Sequence, residues 1–136
     1  MKQLLVTFFL LLSIVPALQS NSSLPIVPKP ANENTSGEQV SVEKKWSVFI
    51  PSQLNISREY LSSIFKEFGI ECTAATDKKS ALIVVDDHKK LSKNSEAYRL
   101  QIGSKGRITI SASSENGVLY AFQSLSQIVM ENGNSV

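Results

Sequence analysis

Apolar and polar positions change rhythm several times along the chain. From Val40, the residues Val42, Trp46, Val48 and Ile50 alternate with Glu43, Lys45, Ser47 and Phe49, with one defect at Lys44. That period of two predicts a strand with one buried face. Ser57 then stands as an N-cap before Tyr60, Leu61, Ile64, Phe65 and Phe68, which share one helical stripe ending at Gly69. The run Ala81 to Val85 is apolar at every position and stops at Asp86-Asp87, predicting a central strand covered on both faces. Tyr98, Leu100 and Ile102, then Ile108, Ile110 and Ala112, give two further alternating strands. Gly103-Ser104-Lys105-Gly106 between them favours an antiparallel hairpin. Ser114 is placed to cap a last helix running to about Met130. Val118, Ala121, Phe122, Leu125, Ile128 and Val129 form its apolar face, and Gly133 lies just beyond.

The predicted order is therefore β-α-β-β-β-α. Each helix carries a stripe that needs a sheet to bury it, so the expected architecture is α+β: a four-stranded, largely antiparallel sheet with two helices packed on it. This folded unit is assigned to residues 40–131. Residues 18–39 read as an extended lead-in, because Pro25, Pro28 and Pro30 fix φ and restrict their neighbours. Leu24, Ile26 and Val27 still offer apolar contacts.

The beginning of the chain has a different character. Lys2 precedes the run Leu4 to Val15, followed by Pro16 and Ala17. Val15 and Ala17 suit the −3 and −1 places of a signal-peptide cleavage site, with Ser20 an alternative cut. The apolar run is well short of the ~20 residues that span a bilayer. Residues 1–17 are thus expected to be removed, leaving no membrane association and delivering the chain to the outside, the periplasm or another extracytoplasmic compartment. Roughly 116 to 119 of the 136 residues remain, enough for one domain and not two. The 14 basic and 12 acidic residues nearly cancel, which removes the electrostatic case for nucleic acid. Export permits disulfides, yet Cys72 is the single cysteine, and it reads as a small apolar residue in a strand or at a strand edge. Asn21, Asn34 and Asn55 open Asn-x-Ser/Thr triplets, which matter only in a glycosylating host.

The chemistry-bearing residues do not converge. His88 is the only histidine; beside it, Asp86 and Asp87 would point to opposite sides of an extended segment, and Lys89-Lys90 would repel a cation. A serine or cysteine nucleophile needs a positioned base, and no serine lies in a Gly-x-Ser-x-Gly elbow. The Gly103–Gly106 interval lacks the spacing of a phosphate loop. Glu59, Glu67, Glu71, Glu96 and Glu115 are scattered, with no convincing carboxylate pair for glycoside hydrolysis. Glu115 suits the first turn of the last helix, where a negative charge complements free N–H groups. Trp46 and Tyr98 follow the buried alternation of their strands. Tyr120 falls off the main stripe of the last helix; with Leu119, Gln123 and Gln127 it suggests a second packing face.

One ordered set of segments carries a resemblance. Glu96-Ala97-Tyr98-Arg99-Leu100-Gln101-Ile102, Ile108-Thr109-Ile110-Ser111-Ala112 and Gly117-Val118-Leu119-Tyr120-Ala121-Phe122-Gln123-Ser124-Leu125-Ser126-Gln127 resemble the accessory domain that precedes the catalytic barrel of family 20 β-N-acetylhexosaminidases. Leu24-Pro25-Ile26-Val27-Pro28-Lys29-Pro30 resembles their opening segment. The resemblance implies a zincin-like α/β layer without a metal motif, whose last helix packs against a downstream (β/α)8 barrel. It also implies that the barrel holds the chemistry. There the substrate's own acetamido oxygen attacks the anomeric carbon, an Asp orients that group, and the neighbouring Glu protonates the leaving oxygen. This sequence has no counterpart of that pair. Ala121 replaces the family's usual glycine beside the helix tyrosine, and Gly117 is implied to let the first turn approach a neighbouring strand.

The expectation is thus a non-catalytic accessory domain with no catalytic, cofactor or metal residues, contacting glycan only through its parent enzyme. Leu119, Tyr120, Gln123 and Gln127 are its expected interdomain surface, and residues 132–136 the tail where the barrel would start. A free-standing glycan- or protein-binding module is the alternative, and a small enzyme in its own right a third.

Overall fold

The computed structural model describes residues 29–35, 40–41, 43–88 and 91–131. The expected signal segment, most of the lead-in, Val42, Lys89-Lys90 and the 132–136 tail lie outside them. The elements are β1 (Lys45–Phe49), α1 (Arg58–Lys66), β2 (Glu71–Ala74), β3 (Ile83–Asp87), β4 (Tyr98–Ile102), β5 (Ile108–Ala112) and α2 (Glu115–Glu131). The strands form one five-stranded sheet in the order β2-β1-β3-β5-β4.

This overturns two expectations. The sheet has five strands, because Glu71–Ala74 pairs with β1 over the register Lys45↔Glu71 to Val48↔Ala74. The strand was invisible in the pattern: it is four residues long, sits at the sheet edge, and only Cys72 among its residues is even half-buried. The sheet is also mostly parallel. β1 pairs in parallel with β2 and β3, and β3 in parallel with β5; only β4 runs antiparallel, against β5. The physical cause is the connections. α1 is a crossover between β1 and β2, and a crossover returns the chain in the same direction. Past β3, the chain runs out to the edge for β4 and then turns back, so β5 rather than β4 lies beside β3. The topology is α+β with two helices, and nothing in it supports the zincin-like description.

The local signals explain the elements that were legible. Ser57 Oγ accepts the Tyr60 N–H at 3.2 Å, capping α1. Gly69 adopts φ +70, and the Ile70 N–H reaches back to the Phe65 carbonyl at 3.2 Å, closing the helix over a buried isoleucine. The β4–β5 hairpin turns as expected, with Gly106 at φ +78 and the Gly106 N–H bonded to the Gly103 carbonyl at 2.8 Å.

The core lies between the sheet and both helices. Trp46 packs on Phe65 with ring centroids 4.7 Å apart, and Phe65 meets Phe122 edge-on at 6.1 Å. Around them Val48, Leu61, Ile83, Val85, Ile108, Ile110, Val118, Leu125 and Val129 are buried in one cluster. Each large side chain buried here contributes roughly 1.5–3 kcal/mol, against about 0–1 kcal/mol for an exposed ion pair. The seam between helices and sheet decides stability.

The other face of the sheet is handled differently. Val84 is buried yet stands outside that cluster, because it alternates away from Ile83 and Val85. Its partner on β1 is Phe49. The Lys78 ammonium stands 5.9 Å from the Phe49 ring centre and ion-pairs with Asp86 at 2.5 Å, while Arg107 donates to the Lys78 carbonyl at 2.5 Å. The turn after β2 thus folds back across the β1–β3 junction. The lysine head group thus lies near Phe49 and Asp86 on the face turned away from the helix-side core.

Candidate functional site

α2 begins where three segments are tied together. Ser114 Oγ accepts the Gly117 N–H at 3.3 Å and donates to the Ser95 carbonyl, so one hydroxyl caps the helix and fastens the segment before β4. Glu115 Oε1 accepts the Asn55 N–H at 2.7 Å. That carboxylate therefore joins the β1–α1 loop to α2, beyond the first-turn role expected of it. Gly117 is buried, and a Cβ there would lie 2.6 Å from the Ala97 carbonyl oxygen and 3.1 Å from the Ala112 Cβ. The backbone approach implied for Gly117 is present. Further along, the Tyr98 and Ser124 hydroxyls share a hydrogen bond at 2.5 Å, linking edge strand β4 to a buried position on α2.

With one face of α2 fixed on the sheet, its outward residues are set. Asn116, Tyr120, Gln123 and Met130 are exposed, and Leu119 and Gln127 are half-buried. Tyr120 keeps 41% of its surface accessible and Met130 62%. Asn116, Tyr120, Gln123, Gln127 and Met130 follow spacings of four, three, four and three, which line up along one side of a helix. No Asp, Glu, Lys or Arg occurs between Glu115 and Glu131. The contrast with α1 is sharp: Arg58, Glu59 and Lys66 are all exposed there, as a solvated helix face requires. Depletion of charge with aromatic and Met side chains retained is a composition also found at the centres of protein–protein contacts.

Tyr60 joins this surface from α1. It was assigned to the buried stripe but lies at its margin, 40% exposed, and its hydroxyl accepts from Gln123 Nε2 at 3.5 Å. The structure thus gathers Tyr120, Gln123 and Gln127 on one strip, with Leu119 at its flank, and adds Tyr60 and Met130. The Met130 addition was legible as the next step of the same spacing. The Tyr60 addition was not, since it depends on how α1 and α2 sit side by side.

The acidic and thiol groups occupy separate places. Asp86 is held by Lys78, and His88 has an exposed side chain, with its backbone N–H on the Ala112 carbonyl. Among the described residues, no three His, Cys, Asp or Glu side chains stand close enough to hold a metal. Cys72 lies half-buried on β2, as the strand-edge reading had it, and burial pushes its thiol up to about 11. The shallow cleft at the start of α1, lined by Ile50, Pro51, Leu54, Ile56, Arg58 and Glu59, offers one cation and one carboxylate on adjacent residues.

The family described as glycosyl hydrolase family 20, domain 2, matches residues 23–136. No curated protein matched the chain. Among solved structures, a β-N-acetylhexosaminidase from Bacteroides fragilis is similar at TM-score 0.58 and 21% identity, covering 75% of this chain and 20% of that one. An exo-β-N-acetylglucosaminidase from Vibrio harveyi, solved in complex with N-acetylglucosamine, is similar at TM-score 0.63 and 20% identity, covering 78% of this chain and 16% of that one. The chain thus spans a fifth or less of the length of these structures. With the family match extending over most of the sequence, from residue 23 to residue 136, the chain belongs to glycosyl hydrolase family 20 through its second domain.

Proposed function

We propose that this chain is the non-catalytic accessory domain of a secreted β-N-acetylhexosaminidase, and that the outer strip of α2 docks on that enzyme's (β/α)8 barrel. The parent enzyme would release terminal N-acetylhexosamine residues from glycans by the substrate-assisted, retaining route. The observation that carries the docking is the charge-free side of a seventeen-residue helix, with Tyr120 at its centre. The family match and the names of the similar structures support the parentage. Residues 1–17 act as the export signal, residues 40–131 as the folded unit, and 132–136 as the approach to the barrel. Leu119, Tyr120, Gln123 and Gln127 are the contact residues, and Tyr60 and Met130 extend them.

The reading is tested by assaying the purified chain on a chromogenic N-acetylglucosaminide. The expected rate is that of buffer alone. Turnover that persists through purification and disappears on Glu96→Gln or Glu115→Gln would overturn it. Sequencing the gene past Val136 tests the parentage separately: an in-frame continuation should carry an adjacent Asp-Glu pair at the end of a barrel strand.

A second reading draws on the two exposed tyrosines. Tyr60 and Tyr120 flank the Gln123 amide, which is also the composition of a small sugar platform. A free-standing glycan-binding module predicts saturable binding of N-acetylglucosamine oligomers by the isolated chain, weakened by Tyr120→Ala. A flat titration to millimolar sugar excludes that reading.

A further inference from the structure

We draw no further inference here: the strongest candidate, the uncharged outer strip of α2 with Tyr60 of α1 beside it, belongs to the surface already described, and nothing in the structure shows what else would cover it.

Discussion

Two single residues show how sharply local geometry limits what this chain tolerates. At Gly117 a methyl group would meet a backbone oxygen at 2.6 Å, and a backbone oxygen cannot rotate aside. Gly117→Ala should therefore destabilise the fold by about 1–3 kcal/mol, as overpacking does, despite alanine's better helix propensity. Each kcal/mol lowers the melting temperature of a domain this size by roughly 4–8 °C. Trp46 is the only tryptophan and is buried against Phe65, so its fluorescence reports the transition. Gly103→Ala, whose new Cβ would sit an ordinary 3.4 Å from the Arg107 carbonyl, serves as the near-neutral control. Cys72 makes a different case. Its folded thiol titrates near 11 against an ordinary 9.0, so the protonated form favours the fold. That contribution is complete below pH 9 and fades as the pH climbs toward 11. Native protein at pH 8 should react slowly with a thiol reagent and quickly once unfolded, and Cys72→Ala should flatten the alkaline fall in stability. Equal labelling rates in the folded and unfolded states would contradict the burial.

At the scale of elements, legibility followed the strength of the local pattern. Val118, Ala121, Phe122, Leu125, Ile128 and Val129 recur at helical spacing, and all of them are buried. Ile83, Val84 and Val85 announced a central strand because all three positions are apolar, and β3 is the middle strand of the sheet. β2 gave no such signal: Glu71, Thr73 and Ala74 are exposed, and pairing on one side only demands nothing of their side chains. Strand direction was illegible for another reason. Whether β5 joins β3 or merely follows β4 depends on where the 88–97 connection carries the chain, which no local periodicity encodes. The outer face of the sheet gives this scale its prediction. Lys78 places its ammonium there near the Phe49 ring and on Asp86. Both ion-pair partners are substantially exposed, so the pair itself is worth about 0–1 kcal/mol. Lys78→Met, which keeps the stem, should melt within a few degrees of the parent, and Lys78→Ala should melt lower. If Asp86→Asn proves as damaging as Lys78→Ala, the contribution of Lys78 is electrostatic rather than apolar.

For the whole molecule, the sequence disclosed the family, and it singled out some of the outward residues of α2 but not Tyr60. Tyr120, Gln123 and Gln127 stood out because they fall off the stripe that packs on the sheet. Tyr60 did not, because it shares its helical side with Leu61 and Ile64 and emerges only where α1 and α2 lie together. The docking proposal places its test here. Tyr120→Glu should leave the melting of the isolated chain within about ±0.5 kcal/mol, as expected of an exposed position away from the core. In the parent enzyme the same change should lower the melting temperature by several degrees, because a carboxylate would be buried unpaired at a domain contact. Unchanged melting of the parent would remove α2 from the contact.

A helix side that carries no acidic or basic side chain between Glu115 and Glu131 has a further consequence. An interface resting on it would shed no counter-ions and offer no fields for electrolyte to screen. Its cohesion would come from expelled water and amide pairing alone, so the two domains of the parent should hold together as firmly in brine as in dilute buffer.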